Sequence, residues 1–190
     1  AVAEADFDEM DSSILEILSR DRVITPDDIR GTAENLEGAV LALENWPTLE
    51  KSRGKFVFLL LVPGENFKAL SAYTDNHPSL KGRVAFMQGT PGMPHTAFVM
   101  VDNHLKEPSM IPSLVKQGYL VRSRADIDTH EARGNDTERR DETLASGAQI
   151  ISTDFFTAPN IYGNGYMVMP FPGGARCNPM NADGGCTIGM

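Results

Sequence analysis

The sequence is short of most features that would place it at once. Only two of its 190 residues are cysteine, Cys177 and Cys186, which excludes a fold stapled throughout by disulfides. Basic residues are outnumbered, 17 Lys and Arg against 26 Asp and Glu, and the net charge of -9 argues against a general phosphate-backbone binder, which needs a basic face. Nucleic acid is therefore not an expected partner. The longest apolar run, "FVFLLLVP" from Phe56, is strand-sized and far short of the roughly 18 to 20 residues that span a membrane as a helix. There is no Gly-x-Ser-x-Gly elbow, no Gly-x-x-x-x-Gly-Lys phosphate loop, no dinucleotide fingerprint and no His-Glu-x-x-His, which removes the commonest hydrolase and nucleotide-binding readings. Internal repeats, low-complexity tracts and a clear linker are missing as well. The start, "AVAEAD", carries no signal-peptide pattern and reads as that of a processed product, a trimmed piece or a fragment.

What is present suffices for a core: 41% hydrophobic residues in a chain of this length is ordinary globular composition. An acidic protein can still meet an anionic lipid or phosphate when a divalent cation bridges them. Calcium therefore enters consideration, with room for peripheral contact with a membrane. The two cysteines lie in the Gly/Pro/Asn-rich stretch "GGARCNPMNADGGC", flexible enough to let them meet. A Cys177–Cys186 disulfide is expected in preference to two free thiols, and it implies an oxidising compartment. Zinc is the weaker reading, since no second Cys or His pair stands nearby.

The first fifty residues read as helices. "DSSILEIL" from Asp11 spaces Ile14, Leu15 and Leu18 on one face, and "TPDDIRG" offers a capping Thr25, a first-turn Pro and two acids, a helix start that lacks the alternating acids of an EF-hand. "ENLEGAVLALENWP" continues the pattern to Pro47. From Lys55 the character changes. "KFVFLLLVPGEN" suits a strand buried on both faces, followed by strands in "GRVAFMQGTPG", "GYLVRSRAD" and "GAQIISTDFF". Helical or polar segments separate them at 66–74, 108–116 and after Asn135, where Glu138 stands three residues on in a capping-box spacing. The pattern predicts an α/β fold with a parallel sheet, its polar residues gathered at the carboxyl ends of the strands. Four strands are too few to close an eight-stranded barrel, so the sheet is open or is half of one. After Pro159 the chain reads as an appended loop or short strand, "GYMVMPF".

All four histidines, His77, His95, His104 and His130, stand in polar or loop contexts and read as surface or turn residues. The run "EARGNDTERRDE" reads as a solvated helix face. The strand-end residues are the better candidates. Alternation along "YLVRSRAD" turns Arg122 and Arg124 to one side, where a barrel strand has its interior. A buried arginine needs a partner or a ligand, and Asp126 and Asp154 are the obvious partners. A structural ion-pair network and an anionic phosphate held by the guanidinium forks both satisfy that spacing.

The segments "ITPDDIRG", "WPTLEKSRGKFVFLL", "HPSLKGRVAF", "GYLVRSRADIDTHEARGNDTERRDETLASGAQIISTDF" and "GGARCNPMNADGGC" resemble, in order and spacing from about Val23 to Cys186, the secreted calcium-dependent phosphoinositide phospholipase C family of bacteria and fungi. The resemblance implies a TIM-barrel-like phosphodiesterase. This chain would supply the later strands and helices, about half a barrel, as a single domain over 1–190 with a disulfide-bearing tail at 160–190, and an N-terminal portion would be needed to close it. In the family a histidine pair does acid/base work on an inositol hydroxyl and Ca2+ stabilises the phosphoryl charge. Those histidines and most calcium ligands belong to early strands that this sequence lacks, so no residue here is assigned a catalytic or metal-binding role and the chain alone is expected to be inactive. Two departures stand out: "FLLLVPGEN", where the family tends to have an acid soon after the strand and Glu65 is the candidate replacement, and Phe155, where Tyr is usual. Arg122, Arg124, Asp126, Thr153 and Asp154 are the residues expected to bind substrate, a phosphoinositide or related phosphodiester. The alternatives are a non-catalytic secreted barrel that binds a ligand or partner, and an open-sheet domain complete in itself.

Overall fold

A computed structural model describes residues 2–43, 46–61, 70–168, 175–182 and 186. The chain divides into two compact units, one formed by residues up to Val99 with Gln117–Tyr119, the other by Met100–Lys116 and the chain from Leu120 onward.

The first unit opens with α1 (Glu4–Leu18), whose first turn carries Glu4 and Asp6 where the helix dipole favours acids; Asp6 Oδ2 accepts the Ala3 N–H at 2.8 Å. The helix buries Phe7 and Asp11, and Phe7 meets Tyr73 edge to face. Pro26 occupies the first turn of α2 (Pro26–Arg30), the helix start that the sequence predicts, and Asp28 accepts the Thr25 N–H at 2.8 Å. Asn35 caps α3 (Leu36–Leu41), which buries Leu36, Ala39 and Val40 but leaves Leu41 exposed. A short α4 (Leu49–Ser52) follows, then β1 (Leu59–Leu60), α5 (Ser71–Thr74) and β2 (Phe86–Met87). Backbone pairing runs parallel and in chain order: Val23 with Phe56, Leu59 and Leu60 of β1 with Phe86 and Met87, then Gln88 with Phe98. Phe98 opens β3 (Phe98–Met100).

The apolar run at β1 corrects one expectation. Phe56 is 43% exposed, and Val57 and Leu61 are exposed too, so the segment is paired through its backbone without being covered on both faces by the described residues. Glu65 and residues 66–69 of the helix expected at 66–74 lie outside the described residues, and α5 forms its second part.

In the second unit, α6 (Met110–Lys116) precedes β4 (Leu120–Arg124), then come α7 (His130–Gly134), α8 (Glu138–Ala145) and β5 (Ile150–Ser152). β4 and β5 are parallel, with Arg122 opposite Ile150 and Arg124 opposite Ser152, and the Val101 N–H donates to Arg122 O. The two sheets are small and parallel and do not close into a barrel. Asn135 does not open α8. It sits left-handed at the end of α7, a position asparagine tolerates, and Thr137 precedes α8.

The stretch after Pro159 is more than an appended loop. Tyr166 and Val168 are buried with Ala125, Ala132 and Phe155, and the Tyr166 hydroxyl donates to Ala125 O at 2.9 Å. Phe155 thus turns into this core, edge on to Tyr166. The expected Cys177–Cys186 disulfide is formed. Between its cysteines, Asn178 donates to Gly147 O, and Met180 lies where a Cβ on Gly147 would be, at 2.6 Å; Gly147 also has φ +88°, so glycine is required twice over.

Candidate functional site

β4 has two chemically different faces. Its burial alternates, with Val121 and Ser123 inside and Arg122 and Arg124 half-buried on the other side. The two arginines share a face, as alternation predicts, but not their partners. Arg122 donates to Asp102 Oδ1 at 2.7 Å and to Ser152 Oγ at 2.7 Å. Neither Asp126 nor Asp154 is its partner: Asp102, just past β3, and Ser152, in the paired strand, are nearer along its own row. The Arg124 guanidinium makes no hydrogen bond or ion pair with another described residue, although its field bears on Asp126.

Past the strand ends, Asp126 is buried. Its Oδ2 accepts the Thr153 hydroxyl, and its Oδ1 accepts the Asp154 N–H at 3.2 Å. Thr153 Oγ in turn accepts the Phe155 N–H at 2.9 Å, which fixes the hydroxyl's direction. Burial raises the Asp126 pKa above the usual carboxylate range and the Asp154 charge adds to that; the two hydrogen bonds and Arg124 oppose it. Asp154 is exposed. Four of the five expected residues, Arg124, Asp126, Thr153 and Asp154, therefore meet at the carboxyl ends of β4 and β5, and Arg122 is held one pair back.

The inner face of β4 holds an arrangement the sequence did not reveal. His104, expected at the surface, is 3% exposed, in a 3-10 turn at His104–Lys106. Its Nδ1 lies 3.2 Å from Ser123 Oγ and its Nε2 3.0 Å from Thr143 Oγ1, while Ser123 donates to Val101 O. Burial, then the Arg139 charge, push its pKa down, and each ring nitrogen has a hydroxyl oxygen within hydrogen-bond reach. Arg139 itself donates to Glu131 Oε1 and Asp102 O. His95 is half-buried with its pKa lowered by burial, and His130 is exposed on α7. His77 bonds Lys81 O through Nδ1. Asp102 had a readable signal: the apolar "AFVMV" ends at it, as "YLVRSRA" ends at Asp126.

One open cavity of about 540 Å³ is lined by Lys106, Glu107, Pro108, Ser109, Met110, Ser113 and Leu114. A second of about 400 Å³ reaches His104, Pro112, Glu138 and Glu142. Neither is lined by the strand-end cluster.

Parallel strands that carry a polar cluster at their carboxyl ends define an α/β protein of the kind that places ligands at that edge. Residues 2–179 match the family described as phosphoinositide phospholipase C, Ca2+-dependent, and the chain belongs to that family. No curated protein and no solved structure matches it. Calcium takes about six to eight oxygen ligands. At the strand ends there are only two carboxylates, Asp126 buried and Asp154 exposed, far short of that number, so the described residues there do not fit a calcium ion.

Proposed function

We propose that this chain supplies the later part of a secreted calcium-dependent phosphodiesterase acting on phosphoinositides or related phosphodiesters, in which an N-terminal portion completes a TIM barrel. The observation that carries the reading is the family match over residues 2–179. Three further observations support it. Arg124 offers a fork-shaped cation with no ion pair among the described residues, at the strand edge where parallel α/β proteins hold ligands. Beside it, Asp154 presents an exposed carboxylate suited to hydroxyl groups of an inositol ring, and its N–H is held by the buried Asp126. The Cys177–Cys186 disulfide fits an exported protein.

The residues divide by role. Arg124 takes the phosphate charge and Asp154 takes ring hydroxyls; Asp126, bonded to Thr153 and to the Asp154 N–H, and Arg122, clamped between Asp102 and Ser152, are positioning residues that keep the strand ends in line. None of the four histidines stands in that cluster, and His104 has neither ring nitrogen to spare. The acid/base pair and the calcium ligands are accordingly assigned to residues outside this chain, and membrane contact is peripheral.

The test compares phosphoinositide cleavage by this chain alone and by the complete protein, with and without Arg124→Met. The chain alone should be inactive. The substitution should lower activity of the complete protein and leave its unfolding midpoint in place. Cleavage by the isolated chain, or equal loss of activity and stability in Arg124→Met, would overturn the assignment.

A further inference from the structure

We propose that Glu4, Asp8 and His77 form a binding site for a divalent ion of the zinc class. This does not rest on the phosphodiesterase reading, and all three residues belong to the first unit. Glu4 and Asp8 are one turn apart at the start of α1, so their side chains share a face. His77 comes from the turn ahead of Pro78–Leu80. One ligand atom from each of the three lies within 4.8 Å of the others, and Nε2 of His77 is 3.6 Å from Glu4 Oε1.

The imidazole carries the evidence for an ion. Its Nδ1 lies 2.8 Å from the Lys81 carbonyl oxygen, a group that can only accept, so the proton sits on Nδ1. In the neutral ring that leaves Nε2 with a lone pair, directed at a carboxylate. Lone pairs facing one another repel unless a cation lies between them, either a second ring proton, which makes an ion pair, or a metal ion. A backbone carbonyl behind a histidine is the usual way to fix the tautomer and aim of a metal-bound ring. The carboxylates are steered in the same manner: Asn76 Nδ2 donates to Glu4 at 3.0 and 3.3 Å, and Arg83 Nη1 donates to Asp8 Oδ1 at 2.5 Å.

Donor type selects the ion. One imidazole and two carboxylates suit zinc and its neighbours, whereas calcium and magnesium call for oxygen alone. Three protein ligands at a half-exposed position leave a coordination place open to solvent. Bound there, the ion would join the first turn of α1 to the segment around His77.

The experiment titrates the metal-stripped, disulfide-intact chain with Zn2+ alone and with Ca2+ alone by calorimetry. A single Zn2+ site is expected, weakened by about tenfold or more in both His77→Gln and Glu4→Gln and unaltered in His130→Gln, with Ca2+ binding far more weakly. Glu4 and His77 lie at the surface, so both variants should fold, which circular dichroism checks. The proposal falls if wild type takes up no Zn2+, if both variants bind it as tightly as wild type, or if Ca2+ binds the same site equally well. In the first two cases the cluster is an ion pair between His77 and Glu4 and nothing more.

Discussion

Two buried aspartates, one in each unit, meet the same problem in different ways. Burial raises the pKa of both Asp11 and Asp126. Asp11 has an internal answer: Tyr73 donates its hydroxyl at 2.9 Å, and Arg83, 2% exposed, approaches at 3.5 Å while donating to Tyr73 O and lying over the Tyr73 ring. Asp126 has a hydroxyl and an N–H, a like-charged neighbour in Asp154, and a cation nearby that does not touch it. A buried charge with its own counter-ion is architecture. One that is left short of a counter-ion, at a strand edge, is the setting in which the proposed ligand site stands.

That contrast can be broken from the structural side first. Arg83→Met leaves Asp11 buried without its cation, and urea unfolding should show a loss of about 3–5 kcal/mol. A milder loss would mean that the Tyr73 hydroxyl alone satisfies Asp11. On the open side, Arg124→Met in the complete protein should cost about 2 kcal/mol of transition-state stabilisation, roughly thirtyfold in phosphodiester cleavage, and leave stability within about 0.5 kcal/mol. Arg122→Met should behave in the opposite sense, lowering stability by about 1–2 kcal/mol, because Asp102 and Ser152 lose their donor, with a smaller effect on substrate affinity. The smallest effect concerns Asp126→Asn. A carboxyl whose folded pKa is raised binds more protons folded than unfolded, so its contribution is complete below the unfolded value and declines as pH rises through the folded one. The melting-temperature difference, variant minus wild type, should therefore favour Asn most at neutral pH and shrink on titration toward the ordinary aspartate value of 3.8. A flat difference would mean that Asp126 is not held above its unfolded pKa.

The parts of this molecule that are local in sequence were legible, and those that depend on distant partners were not. Pro26 and Thr25 start a helix, "FVFLLLVP", "GRVAFMQ", "YLVRSR" and "GAQIIS" hold β1, β2, β4 and β5, and Arg122 and Arg124 share a face, because each follows from dihedral preference or a period of two. β3 was missed because a Gly/Pro-rich turn, "GTPGMPH", stands directly before its short apolar run. With it went Asp102, and so the ion pair that holds Arg122 could not be told from one with Asp126 or Asp154. His104 was misplaced for a related reason. "VDNHLKE" is polar to read, and only Ser123, 19 residues on, and Thr143, 39 on, reveal that the ring is enclosed. Tyr166 and Val168 looked like part of a loose tail because their partners, Ala125 and Ala132, lie more than 30 residues earlier.

The alternation of β4 also governs how this region can change over time. Ser123 faces an enclosed imidazole, and its neighbours on either side carry guanidinium groups. A single exchange disturbs one face only. A one-residue insertion or deletion between Leu120 and Arg124, by contrast, would turn every side chain to the opposite face, pushing an arginine toward His104 and a serine toward the strand edge. The segment should resist a change of length more strongly than any single substitution, so its spacing is a stricter constraint than the identity of any one of its residues.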